Sequence, residues 1–438
     1  MKRAIRVFCL LLTAAHSFTS AAFASAERMT LSEAMKWGLE KAPSLNAVRA
    51  KRDAAQLTST NAKVAFLPSL DFTSTQKVGY AEGTSRSSLQ LSESLWSNGE
   101  NWVTLKTTAF ARDAADAAWV EAREKLAADL TASWVGFSRL DALSRIQEEK
   151  AALIEKQFGV MKRQFEQGLK TREDYQRIRA QLLRTQAELI GVRTQREQTR
   201  IAVLALIGIE KTDDNNLESL IPPPGPSASW KKFLEHAQAD LNLNPTLKRI
   251  EAENAQSELA PLQARLNYWP NINLVADATV TRAGPLSATL GDNSTSSTQS
   301  WNAGLELSWN LWDWGTLRRS IRIADLERDS TQARLKQSEL TLKSEAQQTA
   351  LDLSRLKEEA LLQAEVAQME EDNFRLVEEN YRRGRSSYLD LITALRDRAD
   401  ARSRWNASYF ETLQTHVKLL QLEGRAHAWL LAYDSTRP

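Results

Sequence analysis

One cysteine, Cys9, stands in a chain of 438 residues. It lies in a short apolar run, Val7 to Ala15, behind Lys2, Arg3 and Arg6. Ala22-Phe23-Ala24 and Ala24-Ser25-Ala26 follow, and both suit a signal peptidase. Residues 1–26 therefore read as an export signal, too short in its apolar part to span a bilayer. No run of small residues precedes Cys9 as lipid attachment requires, so no lipid anchor is expected. Without that cysteine the chain has no disulfide and no thiolate chemistry. Histidine is also scarce. His236, His416 and His427 are widely spaced and form no i, i+4 ligand pair, which excludes a zinc site of that kind. His416, on an expected helix, reads as a packing or surface residue. There is no Gly-rich phosphate loop and no catalytic constellation. The chain therefore reads as a non-enzyme, with no catalytic residues, metal or cofactor. Lys and Arg number 57 against 55 Asp and Glu, a balance that gives no case for nucleic-acid binding. Later segments never reach 18 uncharged apolar residues, so no helix is expected to cross a membrane and only strands could.

Proline is missing from 69 to 221 and from 286 to 437, which leaves room for very long helices. What fills that room is one unit, twice. Leu89–Gly99 (LQLSESLWSNG) and Leu305–Gly315 (LELSWNLWDWG) share Leu, Leu, Ser, Leu, Trp and Gly at matching places. Trp96 and Trp312, Gly168 and Gly384, Asp174 and Asp390, and Gly208 and Gly424 are each 216 residues apart. Pro43-Ser44-Leu45 and Pro245-Thr246-Leu247, further upstream, are 202 apart. The difference falls in Gly284–Gln299, a loop by composition. The expected organisation is a first repeat over 27–209, a Pro-rich linker over 210–229, a second repeat over 230–425 and a tail over 426–438. Membrane hairpins are expected near 69–97 and 271–312. In the first copy the punctuation predicts helices over 31–41 and 44–66, strands over 69–80 and 87–97, and helices over 100–167 and 171–209. A helix of about 68 residues spans roughly 100 Å, and helices of about 24 and 38 residues laid end to end cover nearly the same length. The unit is thus a tall helical wall with a strand hairpin at one end and a helical turn at the other.

The helices carry coiled-coil seams. Tyr175, Ile178, Leu182, Leu189, Val192, Val203 and Leu206 share one register, as do Leu335, Leu342, Ala346, Leu353, Leu356, Ala360, Ala367, Phe374, Val377 and Tyr381. Thr185, Arg196, Glu339 and Gln363 interrupt them, which suits a hollow assembly with one wet side better than a dry zipper. The strands alternate. Ile272, Leu274, Ala276, Ala278 and Val280 face one way, and Asn271, Asn273, Asp277, Thr279 and Thr281 the other, with Val275 the exception. Trp269, Trp301, Trp309, Trp312 and Trp314 gather near strand ends, as bilayer-interface residues do. Glu93 falls on the apolar face, so it lies outside the hydrocarbon layer or its strand is bulged. Four strands cannot close a barrel, and open edges in lipid leave backbone groups unpaired. Eight shared strands would fill with side chains, whereas twelve could enclose a pore. A soluble hairpin packed on the helices is the alternative.

At the far turn, Phe165 and Tyr381 each stand three residues before a glycine suited to a left-handed cap, Gly168 and Gly384. Asp174 and Asp390 follow in the first turn of the returning helix, where the macrodipole alone favours an acid. Arg382, Arg383 and Arg385 read as a helix C-terminal cap or a partner surface.

The export signal, the duplicated unit, Leu67-Pro68-Ser69-Leu70, Asn310-Leu311-Trp312-Asp313, and Tyr381-x-x-Gly384 with Asp390 resemble the TolC-like outer-membrane efflux proteins over nearly the whole exported chain. The resemblance implies a mainly α fold with a β-barrel part. In that fold a homotrimer forms a 12-stranded barrel in outer-membrane lipid, continued by a periplasmic α-helical barrel. It also implies docking to a periplasmic adaptor and an inner-membrane pump or ABC exporter. The work implied is passive exit of small molecules or polypeptides, by tripartite efflux or type I secretion, without nucleic acid. By position, Asp390, Asp174, Thr393 and Tyr381 match the periplasmic constriction, where helix pairs close like an iris. Gly168, Leu169, Gly384 and Arg385 match the adaptor-docking tips, and Trp96, Trp269, Trp309 and Trp312 the membrane interface. The family pattern has a second acid at the Thr393 position, an Arg at Ser386, a Phe at Trp312 and a Gly at Trp314, so the closing network is expected to differ. The alternative function is a non-channel structural or adhesive coiled coil of the envelope.

Overall fold

The computed structural model describes residues 29–78, 82–209, 217, 241–285 and 296–433. The stretch read as an export signal, nearly all of the expected linker, residues 286–295 and the last five positions lie outside the described residues. The elements run α1 (Leu31–Lys41), α2 (Pro43–Val64), β1 (Ser69–Val78), β2 (Glu82–Ser97), α3 (Glu100–Glu166) and α4 (Arg172–Leu206). Then follow α5 (Pro245–Glu258), α6 (Ala260–Leu266), β3 (Asn271–Pro285), β4 (Ser296–Ser308), α7 (Thr316–Arg382), α8 (Tyr388–Leu422) and α9 (Ala426–Tyr433). Where the first copy has a single helix α2, the second has α5 and α6, broken at Leu259. Pro261 explains the break, since it has no N–H to give the carbonyl one turn back.

The helices form a wall four rods wide. α3 and α7, of 67 residues each, are continuous and about 100 Å long. The other two rods are composite, α2 continued by α4 and α5–α6 continued by α8. Contacts give the order α2/α4, α3, α5/α8, α7. The joints within the composite rods are alike. α4 ends in a Schellman turn with Ile209 N–H on Leu204 O (3.0 Å) and Gly208 at φ 76°, against Lys41. α8 ends with Arg425 N–H on Leu420 O (2.8 Å) and Gly424 at φ 69°, against Leu243. Asn244 closes the second joint, accepting from Leu247 N–H (2.9 Å) and donating to Leu422 O (2.7 Å).

The main core lies beside these joints. Trp134, Leu130 and Val135 of α3 pack with Leu31 and Met35 of α1, Val203 and Leu204 of α4, Leu353 of α7, Phe410 and Leu413 of α8 and Leu430 of α9. Glu124 of α3 is buried there and accepts from His427 N–H (2.8 Å), capping α9 from outside. Burial pushes its carboxyl above the usual range, against the bonds from α9 that favour the charged form. Along α7 the buried residues include Ala346, Leu353, Leu356, Ala360, Ala367 and Phe374, the expected seam.

α7 has a second apolar line. Leu340, Leu351, Leu362, Met369 and Leu376 are all exposed and recur at spacings of 11 or 7 residues, which keep to one side of a helix. At 100° per residue this side is opposite the buried seam. The other outer rod matches it, with Leu57 and Val64 on α2 and Leu183, Ile190 and Ile201 on α4 exposed. Both side edges of the wall are therefore apolar and uncovered in a single chain.

A Cβ at Gly424 would stand 2.7 Å from Leu243 O, whereas at Gly384 (φ 73°) it would meet nothing within 4 Å. Gly384→Ala is expected to cost only the left-handed backbone penalty, roughly 1–2 kcal/mol. Gly424→Ala should cost more and lower the thermal midpoint further, as read by circular dichroism of the purified protein in detergent.

Candidate functional site

The strands form one antiparallel sheet in the order β1-β2-β3-β4, so the two copies meet at β2 and β3 and the edges are β1 and β4. The register sorts its side chains cleanly. One face carries the rows Phe72–Leu89–Ala278–Trp301, Leu70–Leu91–Ala276–Ala303, Glu93–Leu274–Leu305 and Trp96–Ile272–Leu307. The other carries Asp71–Gln90–Asp277–Asn302, Thr73–Ser88–Thr279–Ser300 and Thr75–Arg86–Thr281–Thr298, with Val275 an apolar member. The apolar rows span about 20 Å along the strands at two residues per row. Phe72 and Trp301 (79% exposed) border them on the side away from the helices. The strand-end reading of Trp301 thus moves. It stands within β4, in the uppermost apolar row, while the other four tryptophans cluster at the helix end.

Glu93 stays on the apolar face, opposite Leu274. A bulge does occur, but two residues later, where the register shifts between Ser94 and Trp96. The extra residue, Leu95, returns Trp96 to the apolar face beside Ile272.

The second hairpin, expected to run to 312, ends at Ser308. From there the chain must turn into α7. Trp309 Nε1–H donates to Tyr268 O (3.1 Å), and the Asp313 carboxylate accepts from Gly315 N–H (3.0 Å) and Leu317 N–H. The first copy uses Ser97 in the same place, its hydroxyl accepting from Asn101 N–H (3.4 Å). Asn98 and Trp314, also equivalent, are the only described non-glycine residues with positive φ, 46° and 56°. Asn tolerates that conformation and a bulky ring does not. Trp314 is 81% exposed and meets Trp312 edge-on at 5.7 Å. Trp96, Trp269 and Trp309 are exposed at the same level.

At the other end, each tip is a Schellman turn followed by a capped helix. Leu169 N–H reaches Gln164 O and Arg385 N–H reaches Asn380 O, both at 2.8 Å. Thr171 caps α4, its hydroxyl accepting from Asp174 N–H (3.1 Å). Ser387 caps α8 more completely. Its hydroxyl accepts from Asp390 N–H (3.2 Å), and the Asp390 carboxylate accepts from Ser387 N–H (2.9 Å) and from the Ser387 hydroxyl (2.8 Å). These bonds hold Asp390 below the usual carboxylate range. Thr393, one turn on, is exposed on the same side, as are Leu169 and Arg385 at the tips. The signal for Ser387 was present in the sequence as a Ser three residues before an Asp.

Tyr381 is half-buried. It packs with Ile154, Met161, Ile178, Phe374, Leu391 and Leu395, an apolar cluster that joins α3, α4, α7 and α8 above the tips. Tyr388 lies beside it, and burial pushes its phenol well above the ordinary value. Charges that sequence reasoning passed over tie the rods together. Arg398 of α8 binds Glu371 of α7 (2.7 Å), Arg402 binds Glu149 of α3, and Lys150 binds Glu188 of α4 (3.1 Å). Among the described residues no group of three or more His, Cys, Asp or Glu could hold a metal, and no helix is long and apolar enough to cross a membrane.

An amphipathic sheet with two open edges, fused to a long helical wall with two open edges, defines a subunit of a membrane barrel that continues as a helical tube. The outer membrane efflux protein family matches residues 38–209 and 237–425, and the chain belongs to it. Among solved structures it is similar to the CmeC outer membrane channel of Campylobacter jejuni, at 15% identity and TM-score 0.73, covering 90% of this chain and 86% of that one. It is also similar to VceC of Vibrio cholerae, at 15% identity and TM-score 0.70, covering 90% and 96%. The open-state MtrE channel of Neisseria gonorrhoeae matches at 16% identity and TM-score 0.69, covering 90% and 88%. No curated protein matches. The protein is an outer-membrane efflux channel, TolC-like in fold, with its strands in the outer membrane and its helices in the periplasm. The family is one of channels, not of enzymes.

Ionised Asp390 favours the capped tip, so the stabilisation is present above the ordinary carboxylate range and is lost as pH falls through the lower folded value. Amide exchange at the start of α8, corrected for intrinsic rates, should therefore quicken below about pH 4. In Ser387→Ala it should already be fast at neutral pH.

Proposed function

We propose that three copies close into one passive duct for tripartite efflux. The observation that carries this reading is the pair of unfinished edges. On one side lie β1 and the rod α2/α4, on the other β4 and α7. An edge strand in lipid leaves backbone groups unpaired, and exposed apolar lines on both outer rods call for cover. Joining one side to the other repeats head to tail, a contact that closes as a ring. Two copies give eight strands, which side chains would fill, and three give twelve, which enclose a pore. In the ring, β4 pairs with β1 of the next copy, and Leu340, Leu351, Leu362 and Leu376 meet Leu183, Ile190 and Ile201.

Outer-membrane lipid faces the apolar rows, with Trp96, Trp269, Trp309 and Trp312 at the inner interface. At the periplasmic end Asp390 and Thr393, with Asp174, line the constriction, and Tyr381 holds the hairpins together behind it. A periplasmic adaptor docks on the tips at Gly168, Leu169, Gly384 and Arg385, coupling the duct to an inner-membrane pump. Efflux of small molecules is favoured over type I secretion of polypeptides through an ABC exporter because the family is one of efflux proteins.

Two measurements test this. Purified protein in a planar bilayer should conduct, and Asp390→Ala should lower its preference for cations, since a ring of carboxylates attracts them. Unchanged selectivity would remove Asp390 from the constriction. Separately, Leu351→Glu should shift the protein from trimer to monomer in native mass spectrometry while far-UV helicity persists. A trimer as stable as the wild type would refute the seam.

A further inference from the structure

Only two charged residues project from the lipid-facing side of the described sheet, Glu93 and Arg282. Glu93 lies one row above Trp96, near the helices. Arg282 lies at the other end. Its row is Gln76–Ser85–Arg282–Ser297, two rows beyond Phe72–Leu89–Ala278–Trp301. The row between is Ser74–Ser87–Val280–Gln299, with Ser74 and Ser87 hydroxyls hydrogen-bonded at 3.1 Å. Seven of these eight side chains are polar, although they stand on the face that is apolar below them. The apolar belt therefore stops at the Trp301 row, and a polar collar continues outward on the same face. Arg282 is exposed there, and no acidic side chain shares either row.

We propose that this collar is a binding surface for the phosphorylated sugar headgroup of an outer-leaflet glycolipid, with Arg282 as its phosphate contact. The helices lie in the periplasm, so the end of the sheet away from them reaches the outer leaflet. Two residue rows beyond the aromatic border come to about 14 Å along a strand, which places Arg282 at headgroup rather than acyl-chain depth. A guanidinium presents a fork of donors that fits phosphate. The serines and glutamines beside it offer the short-range hydrogen bonds that sugar hydroxyls take, and a ring of three protomers repeats the surface three times. Glu93, at the opposite border, has the wrong sign for such a headgroup.

The test is lipid retention by the purified trimer in native mass spectrometry. It is titrated with a bis-phosphorylated lipid A, the same lipid after dephosphorylation, and phosphatidylethanolamine. The wild type should prefer the phosphorylated glycolipid. Arg282→Gln should weaken that binding roughly fivefold per site, the worth of one basic residue near an anionic membrane surface, and Arg282→Lys should keep most of it. Equal binding of the phosphorylated and dephosphorylated lipids by the wild type would overturn the proposal, and needs no variant to fold. So would an Arg282→Gln trimer that binds as the wild type does. Displacement of the glycolipid by millimolar inorganic phosphate would assign the site to the free anion instead.

Discussion

An unpaired backbone group has nowhere to go in hydrocarbon, and the rest of this structure follows from that constraint. Four strands leave two edges, β1 and β4. No rearrangement within one chain can pair them, because four strands are too few to curl round and close a barrel. The helices extend the same incompleteness downward for a different reason. There the backbone is satisfied inside each helix, and what remains open is apolar surface on α7 and on α2/α4. Hydrogen bonding and hydrophobic burial thus demand the same operation, one copy's β4 and α7 against the next copy's β1, α2 and α4. The four-rod wall keeps the two demands in line over roughly 100 Å.

Holding that line requires exact joints, and the duplicated chain solves each joint once and uses it twice. Gly208 and Gly424 let the composite rods pass close to Lys41 and Leu243. Ser97 and Asp313 cap the long helices where they leave the sheet. Because a joint is a local matter of caps and left-handed residues, most of it was legible in the sequence. The glycine pairs, the proline gaps and the periodicity placed α3 over 100–167 against Glu100–Glu166 and α4 over 171–209 against Arg172–Leu206. β4 ends short of the expected hairpin boundary because Leu305, Leu307, Trp309 and Leu311 continue the alternation beyond Ser308. Alternation records which way side chains would point, not whether a partner strand remains beside them.

The second apolar line on α7 escaped notice for a physical reason. A helix with apolar residues on two opposite faces has little net amphipathicity, so the seam of Leu353 and Ala360 masks that of Leu351 and Leu362. The ties made by Arg398, Arg402 and Lys150 were invisible for another. They join residues up to 253 apart in sequence, and a helix this rich in charge offers many equivalent pairings until the rods are set side by side. Tyr381 illustrates the limit of position alone. Its place before Gly384 was clear, yet only packing shows it turned into the apolar cluster.

Where the two copies differ, function has room to differ. The tip of α4 has a Thr cap whose returning partner bond is not made, while the tip of α8 has the full reciprocal box, with Asp390 held ionised. One turn beyond, Thr393 stands where the first copy has Arg177, itself paired with Glu173 at 2.6 Å. Arg177 thus neutralises Glu173, an acid whose second-copy counterpart is Leu389, and the two tips present different sets of charges around Asp174 and Asp390. At the opposite end the asymmetry falls on Asn98 and Trp314, where an easy left-handed residue is replaced by a strained aromatic. Strain of that kind persists only when the surroundings fix it or the side chain has a use. Within the chain Trp314 has an edge-on contact with Trp312 and a bond from Arg319 Nη1–H to its carbonyl (3.2 Å), while its ring stays 81% exposed. Those contacts hold the backbone of the turn, and the uncovered ring is left for whatever the proposed channel sets against this end of the sheet, bilayer interface or neighbouring copy.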